Sequence, residues 1–505
     1  MQRYVKPFRL IVSVIVLAVV AYLFIDTGKK ALPAWFQCFI WLQFIPSLIK
    51  FVQSIGHGLS VVAFGFIVVI ILTLLLGRVY CSFICPLGIF QDVVSRFSKA
   101  LLNIRKKKFR FFFSPPKSWL RYSILVIFAL SFFTGSVFFD LLEPYSIFGR
   151  FISHLLRPIV IADIKIDLYT LIIPVLTLAL VIGLSVWKGR LYCNTVCPVG
   201  TLLGLMSKAS LYKIRFNRSV CKQCGKCMFV CKSQCIDVKN MQVDFSRCVG
   251  CGNCLKSCDY NAFLYSRATA DNPKIREEIA VSKRHFIFNG ALFIATLGGL
   301  ITFKSFTKNF RHFRKRELDP KCVRERGIGR GQLEVLPAHA VSPPGSFSLS
   351  HFTGACTACN MCVNACPKGV LKFSLFEHGI SGVMQPFMDY YASFCDHECT
   401  KCGEVCPSGA ILPLSVKEKQ ITQIGVSRFE KQNCVIYINE RTCGNCAVHC
   451  PTQAIRMVPY KDGLTLPEIT PDVCIGCGAC EWACPVTPYK AIVIDGNSEH
   501  RILRT

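Results

Sequence analysis

The chain has 505 residues, enough for several domains, with 52% apolar residues and a formal charge of +29. In a soluble protein so basic a balance points to nucleic acid, but here the cations gather beside long apolar stretches, which favours membrane topology and excludes a nucleic-acid partner. The 31 cysteines stand in runs spaced by two or three residues, which wraps a metal centre; a disulfide framework scatters its cysteines through loops, and a zinc ribbon uses two separated C-x2-C knuckles.

Five apolar stretches come first: Leu10 to Ile25, Leu59 to Leu76, Tyr122 to Phe139, Leu168 to Trp187 and Phe286 to Phe303. Each has about the 17 to 25 residues that a bilayer's hydrocarbon demands. Basic residues precede the first, as in a signal peptide, but no small-x-small cleavage site follows, so it reads as an uncleaved span. Gln2 to Arg9 is basic, Arg78 to Arg121 contains Arg105, Lys106, Lys107, Lys108 and Arg110, and Lys188, Arg190, Lys208, Lys213, Arg215 and Arg218 follow the fourth span. By the positive-inside rule all three regions face the cytoplasm.

Residues 1–212, the four-span membrane domain, contain a repeat: GRVYCSFICPLG at 77–88 returns as GRLYCNTVCPVG at 189–200. The unit is a helix pair used twice. Each pair encloses an aromatic-rich outer stretch, Trp35 to Val52 and Ser146 to Ile161, suited to an amphipathic helix lying in the interface. In each CxxxCP motif a spacing of four puts both thiols on one helix face. Cys81, Cys85, Cys193 and Cys197 then suit an intramembrane redox or metal centre, a redox dithiol or the lining of a quinol pocket, against the plainer reading of buried packing thiols. His57, Asp140, Glu143 and His154 lie near the outer ends of the spans, where polar residues ordinarily meet water and headgroups.

Residues 213–270 read as a cytoplasmic dicluster ferredoxin insert with Cys221, Cys224, Cys227 and Cys231, then Cys248, Cys251, Cys254 and Cys258. In such runs three thiolates hold one [4Fe-4S] cluster and the fourth reaches its neighbour, so Cys258 completes the first site and Cys231 the second. Lys232 and Asp259 stand where proline usually follows. Residues 282–304 form the fifth helix, an export and anchor segment: SKRHFIF at 282–288 is a slightly degenerate twin-arginine signal. This overrides the basic residues after the span and places the rest of the chain outside. Residues 305–355, ending in PPGS at 343–346, read as a linker.

Residues 356–505 carry four groups: Cys356, Cys359, Cys362 and Cys366; Cys395, Cys399, Cys402 and Cys406; the wider Cys434, Cys443, Cys446 and Cys450; and Cys474, Cys477, Cys480 and Cys484. Proline follows the last cysteine of each. Between them lie short β-like stretches such as Cys434 to Ile438 and Ala491 to Ile494. Six clusters in all, at about two negative charges each, would bring the net charge to about +17. Cys38, Cys235 and Cys322 read as ordinary thiols. No C-x-x-C-H occurs, so c-type haem is not attached. The fold class expected is an α-helical membrane domain of five transmembrane helices, two pseudo-repeated helix pairs plus the anchor helix, joined to α+β ferredoxin-like domains.

The four C-terminal groups, wide third group included, resemble the NapG and MauM ferredoxins, and the four-span region with its two CxxxCP motifs and dicluster loop resembles NapH and the MauN-like proteins, as though two subunits were fused. The resemblance implies electron transfer from the quinone pool, with a cytoplasmic donor as a second source, to a periplasmic redox protein across the bacterial inner membrane. Any enzymatic step would be quinol dehydrogenation. A redox regulator or a reductase of metal-centre assembly is the alternative. In four-cluster ferredoxins of this kind the first run exchanges its last ligand with the fourth, and the second with the third, which would pair Cys484 with run one and Cys366 with run four.

Overall fold

The computed structural model describes residues 5–25, 34–54, 64–104, 111–134, 141–160, 168–267, 337–374, 377–379 and 382–503. They fall into two compact units, one within the first 307 residues and one from residue 308 onward.

The N-terminal unit is built from α1 (Val5–Ile25), α2 (Ala34–Trp41), α3 (Phe44–Ser54), α4 (Gly65–Leu76), α5 (Tyr80–Phe83), α6 (Pro86–Ile104), α7 (Ser118–Thr134), α8 (Pro144–Phe151), α9 (Leu168–Lys188) and α10 (Pro198–Ser207). α8 runs on as a π-helical turn over Ile152–Leu156, and a second such turn over Tyr192–Val196 precedes α10. Among the described residues two helices, over Lys6–Ile25 and Leu171–Lys188, are long and apolar enough to cross a membrane. α4 and α7 are apolar but shorter. Residues 59–63 and 135–139, which would complete those two expected spans, lie outside the described residues, as does the fifth candidate, 286–303.

Polarity is distributed inside out. Ile11 on α1, Ile71 on α4, Leu130 on α7 and Leu176 on α9 are exposed, whereas Arg9, Arg78, Arg121, Arg190 and Asp92 are buried. Arg9 and Arg190 converge on α6, where Asp92 accepts from Arg9 Nη1 at 2.8 Å and from Arg190 Nε at 2.7 Å, with the buried Lys232 ammonium at 3.2 Å. One carboxylate thereby joins the first helix, the second repeat and the dicluster insert.

The two aromatic outer stretches are helical, as expected, and much of their surface is covered by the protein itself. Gln43, Phe44, Tyr145, Ser146 and Arg150 are all buried within the protein. The cause is a tyrosine in each repeated motif. Tyr80 donates to Gln43 Oε1 at 3.2 Å while its oxygen accepts from the Phe44 amide at 3.3 Å, and Tyr192 donates to the Leu142 carbonyl at 3.1 Å. Glu143 and His154, expected at water and headgroups, are buried too. The Glu143 carboxylate caps α8, accepting from the amides of Tyr145 and Ser146. His57 and Asp140 lie outside the described residues.

The insert is closed by β1 (Tyr212–Phe216) paired antiparallel with β4 (Phe263–Arg267), and contains a small hairpin of β2 (Ile236–Asp237) and β3 (Gln242–Val243). In the C-terminal unit, β5 (Leu371–Phe373) pairs with β6 (Pro386–Met388), β8 (Ile455–Pro459) with β9 (Thr465–Ile469), and β7 (Thr422–Phe429) with β10 (Ile492–Ile502), all antiparallel. Cys434 to Ile438, expected as strand, is instead a helical turn over Val435–Asn439. The Cys434 carbonyl accepts from the amides of Tyr437 at 3.0 Å and Ile438 at 2.9 Å, so local bonding overrides the β-branched run. The expected linker ends sooner than 355. Residues from 338 on are held by the unit itself: Ala338 N donates to Asp495 Oδ1 at 2.7 Å, Met388 N to Val341 O at 3.1 Å and Leu412 N to Gly345 O at 3.0 Å.

Asp92→Asn would leave three buried cations without their anion, and breaking such a pairing costs about 3–5 kcal/mol. The expected readout is a lower melting temperature in detergent and faster proteolysis within residues 213–267; unchanged values would contradict the hub. In the C-terminal unit, burial and then the nearby His351 push His500 down to about 4, with Ser342 Oγ 2.9 Å from Nε2. An unfolded histidine titrates near 6.5, so this contribution to stability is full above pH 6.5 and is lost as pH falls toward 4. His500→Gln should therefore narrow the difference in melting temperature between pH 7 and pH 5.

Candidate iron-sulfur sites and the cysteine quartet

Local backbone geometry bends each regular run around a point. The residue after the second cysteine is left-handed in four runs, Gly225 (φ +73°), Gly252 (+69°), Asn360 (+63°) and Gly478 (+78°), and a short helix carrying the third cysteine follows each. Glycine and asparagine are the residues that reach this region at little cost. Cys258, Cys366 and Cys484 then leave their helices in extended conformation, which carries the fourth thiol away from its own run.

Six thiol sets result. In the insert, Cys227 lies with Cys221 and Cys258 on the loop that also holds Cys224 (site A), and Cys254 with Cys251, Cys248 and Cys231 (site B). This is the exchange expected from spacing. In the C-terminal unit Cys356, Cys359, Cys362 and Cys406 line one cavity (site C), and Cys434, Cys443, Cys446 and Cys484 another (site F). Cys402 lies with Cys395, Cys366 and Cys399 (site D), and Cys480 with Cys477, Cys474 and Cys450 (site E).

The expected exchange of run one with run four and run two with run three is therefore corrected: one exchanges with two, and three with four. A hairpin after the first crossing cysteine of each pair is the reason. β5–β6 brings Asp389 N to Val370 O at 2.8 Å, returning the chain beside Cys366, and β8–β9 leads Thr470 N to Ala454 O at 2.8 Å, beside Cys450. The insert does the same through β2–β3, where Asp244 N donates to Cys235 O at 2.8 Å. Sites D and E also touch, because the Cys395 amide donates to Cys477 O at 2.9 Å. The four sites thus form a row, C to D to E to F.

The donor sets suit a polynuclear anionic group. Among the described residues no three Cys, His, Asp or Glu side chains close on a point as a single ion requires; the thiols stand around cavities instead. Burial pushes Cys227, Cys395 and Cys446 up to about 11 and Cys477 to about 12, and a cationic iron core would stabilise the thiolate form of these four. Backbone amides already point at sulfur: Ala262 N to Cys258 at 3.3 Å, Ile411 N to Cys406 at 3.4 Å and Ala454 N to Cys450 at 3.2 Å. Two buried lysines supply positive charge, Lys419 beside Cys395 and Lys490 on the Cys484 carbonyl.

Cys81, Cys85, Cys193 and Cys197 are brought together, all buried, with Cys85 close enough to interact electrostatically with the other three. Every residue type in the repeated motif has a place. Gly77 and Gly189 take positive φ (+81° and +69°). Arg78 Nη2 donates to the Cys193 carbonyl at 3.1 Å and Arg190 Nη1 to the Cys81 carbonyl at 2.9 Å, so each half's arginine holds the other half's cysteine. Pro86 and Pro198 open α6 and α10. A Cβ on Gly88 would stand 2.2 Å from the Cys81 carbonyl oxygen, and one on Gly200 the same distance from that of Cys193. The thiols are also bonded: Gly200 N donates to Cys197 at 3.3 Å and Gln91 Nε2 to Cys193 at 3.3 Å. Gln91 and Asp92 were not singled out from sequence, and Arg78 and Arg190 were read only as part of the basic regions beside the spans, although the recurrence of arginine inside GRxYC was a usable signal.

The quartet abuts site B. Arg78 Nη1 donates to Ser246 O at 2.9 Å and Ser82 Oγ to Val249 O at 2.8 Å, both on the loop around Cys248. Arg78 is also in electrostatic reach of Cys248, and Arg190 of Cys251. The two departures from the proline rule have structural roles: Lys232 docks the insert on Asp92, and Asp259 pairs with Lys226 across site A. Of the thiols set aside as ordinary, Cys38 is exposed and Cys322 lies outside the described residues. Cys235 is not a detached thiol; it lines the site B cavity.

Sets of four thiols in two units, each closed by a neighbouring run, define an iron-sulfur electron-transfer protein. Family models agree: one described as a 4Fe-4S binding domain matches residues 59–111 and 170–219, two described as 4Fe-4S dicluster domains match 355–411 and 441–487, and a further 4Fe-4S binding domain matches 241–264. The chain belongs to the ferredoxin-type proteins of the NapG and MauM kind. It is 30% identical over 170 residues to the methylamine utilization ferredoxin-type protein MauM of Methylophilus methylotrophus, covering 31% of this chain and 73% of that protein. Over 158 residues it is 32% identical to the ferredoxin-type protein NapG of Escherichia coli, covering 28% of this chain and 64% of that one. The electron transport protein YccM of Escherichia coli is 30% identical over 199 residues, 37% of this chain, and the chain spans about half (51%) of its length. No solved structure matches.

Cys406→Ser tests the corrected exchange. Alkylation of the native protein, read by mass spectrometry, should newly label Cys356, Cys359 and Cys362 while Cys474, Cys477 and Cys480 stay protected; labelling of another run would contradict the pairing.

Proposed function

We propose that the chain is a multi-pass protein of the bacterial inner membrane that takes electrons from quinol and delivers them through its C-terminal unit to a periplasmic redox protein. The observation that carries this reading is the row of four thiol sites, C to D to E to F, each sharing a run or a hydrogen bond with the next, which is the layout of a conductor. The 24 cysteines of sites A to F are its proposed ligands. Each [4Fe-4S] cluster, when bound, supplies a one-electron carrier whose potential depends on burial and on hydrogen bonds to sulfur.

The exposed apolar faces of α1, α4, α7 and α9 support the membrane placement, since such faces need lipid or another apolar cover. The quartet at 81, 85, 193 and 197 is the proposed further redox centre. Its thiols are shielded from water, and it shares Arg78 and Arg190 with site B, so the dicluster insert offers an entry for a cytoplasmic donor. About 30 Å of hydrocarbon separates the two faces of a bilayer, and quinone is the carrier proposed to bridge them. The anchor at 282–304 and its twin-arginine-like signal, which lie outside the described residues, are the basis for placing the C-terminal unit outside.

Purified protein in liposomes should hold roughly 24 irons per chain, four for each of six sites, and reoxidise a quinol analogue. A Cys81→Ala, Cys193→Ala double variant should lose that oxidation while keeping sites C to F. Inertness of the intact protein toward quinols would overturn the donor assignment. A reporter fused after Thr505 that works only in the cytoplasm would overturn the placement.

A further inference from the structure

In four of the six ferredoxin-type runs the fourth residue after the last cysteine is a small buried apolar one: Ala262, Val370, Ala410 and Ala454. Ala410 lines the site C cavity, and the amides of Ala262 and Ala454 donate to the sulfurs of Cys258 and Cys450. After Cys231 that position is Cys235, as buried as its counterparts at 2% exposure. Its sulfur is 3.5 Å from Cys231 Sγ, and it lines the same cavity as Cys231, Cys248, Cys251 and Cys254. Site B therefore presents five thiols to a group that takes four.

We propose that Cys235 is a positioning thiol of site B that binds no iron but donates its S–H to the ligand sulfur of Cys231, raising the reduction potential of that cluster. The inference rests on the reading of Cys231, Cys248, Cys251 and Cys254 as the ligands. A cubane's four irons each take one thiolate, so a fifth thiol has no open coordination position. Its neighbours in the cavity are sulfurs, and a thiol is a weak donor that reaches such acceptors at this separation. A hydrogen bond to a ligand sulfur offsets negative charge there, which favours the reduced cluster over the oxidised one and moves the potential upward. The alanines at the equivalent places of sites A, C and E fill space without supplying that donor. Site B, the one against the quartet, is so distinguished from its partner site A.

The test is a redox titration followed by electron paramagnetic resonance, on the full-length protein and on Cys235→Ala and Cys235→Ser, with iron and acid-labile sulfide measured per chain. All three should carry the same iron. Cys235→Ala should shift one cluster's midpoint potential to a more negative value and leave the others in place, and Cys235→Ser, whose hydroxyl still donates, should restore most of that shift. Alanine is already the native residue at three equivalent positions, so the variant has a fold precedent in the same chain. Unmoved potentials in Cys235→Ala would overturn the proposal. So would loss of about four irons, which would make Cys235 a ligand. A wild-type protein without iron would instead overturn the ligand reading itself.

Discussion

Asp92 is the constraint on which the N-terminal unit depends. A carboxylate in an apolar interior is costly unless paired, and a lone arginine or lysine costs as much. Here Arg9, Arg190 and Lys232 all meet Asp92, so four charges that would each be untenable become tolerable together. The arrangement is more than neutralisation, because the three cations come from the first helix, the second CxxxCP repeat and the dicluster insert. Their common anion requires all three to be in register. The quartet and site B, which share Arg78 and Arg190, inherit that register.

The duplicated motif shows the same economy. Arg78 and Arg190 cross between halves to hold the carbonyls of Cys193 and Cys81, so neither half is a finished structure alone. Tyr80 and Tyr192 anchor the intervening segments, which explains why stretches with the composition of interfacial helices are buried. The buried start of α8 is satisfied within the protein, because the Glu143 carboxylate accepts from the amides of Tyr145 and Ser146.

Much of this was legible in the sequence. The spacing of cysteines identified all six thiol sets' first three members, and the repeat identified the quartet, because both depend on local geometry. What was not legible depended on where the chain goes between the motifs. The exchange of fourth cysteines in the C-terminal unit is decided by the hairpins β5–β6 and β8–β9, whose few residues carry little periodicity. Val435 and Ile436 read as strand because β-branched residues favour extended backbone, yet the Cys434 carbonyl wins them for a helical turn. Lys232 looked like a lapse from the proline rule, and only Asp92, 140 positions earlier in the chain, gives it meaning. Cys235 was set aside for want of a run, although its offset from Cys231 matches that of the small residues behind other sites.

Reciprocal exchange between adjacent runs also bears on biogenesis. Run one without run two supplies three thiols and a stray fourth, and so does run two without run one; the same holds for runs three and four, and for the two runs of the insert. The natural quantum of maturation is then a pair of centres, and a nascent chain stays coordinatively unsaturated until the second run of each pair has emerged. Three such quanta, each spanning a stretch of 38 to 51 residues between first and last cysteine, let a long multi-centre conductor mature in independent instalments.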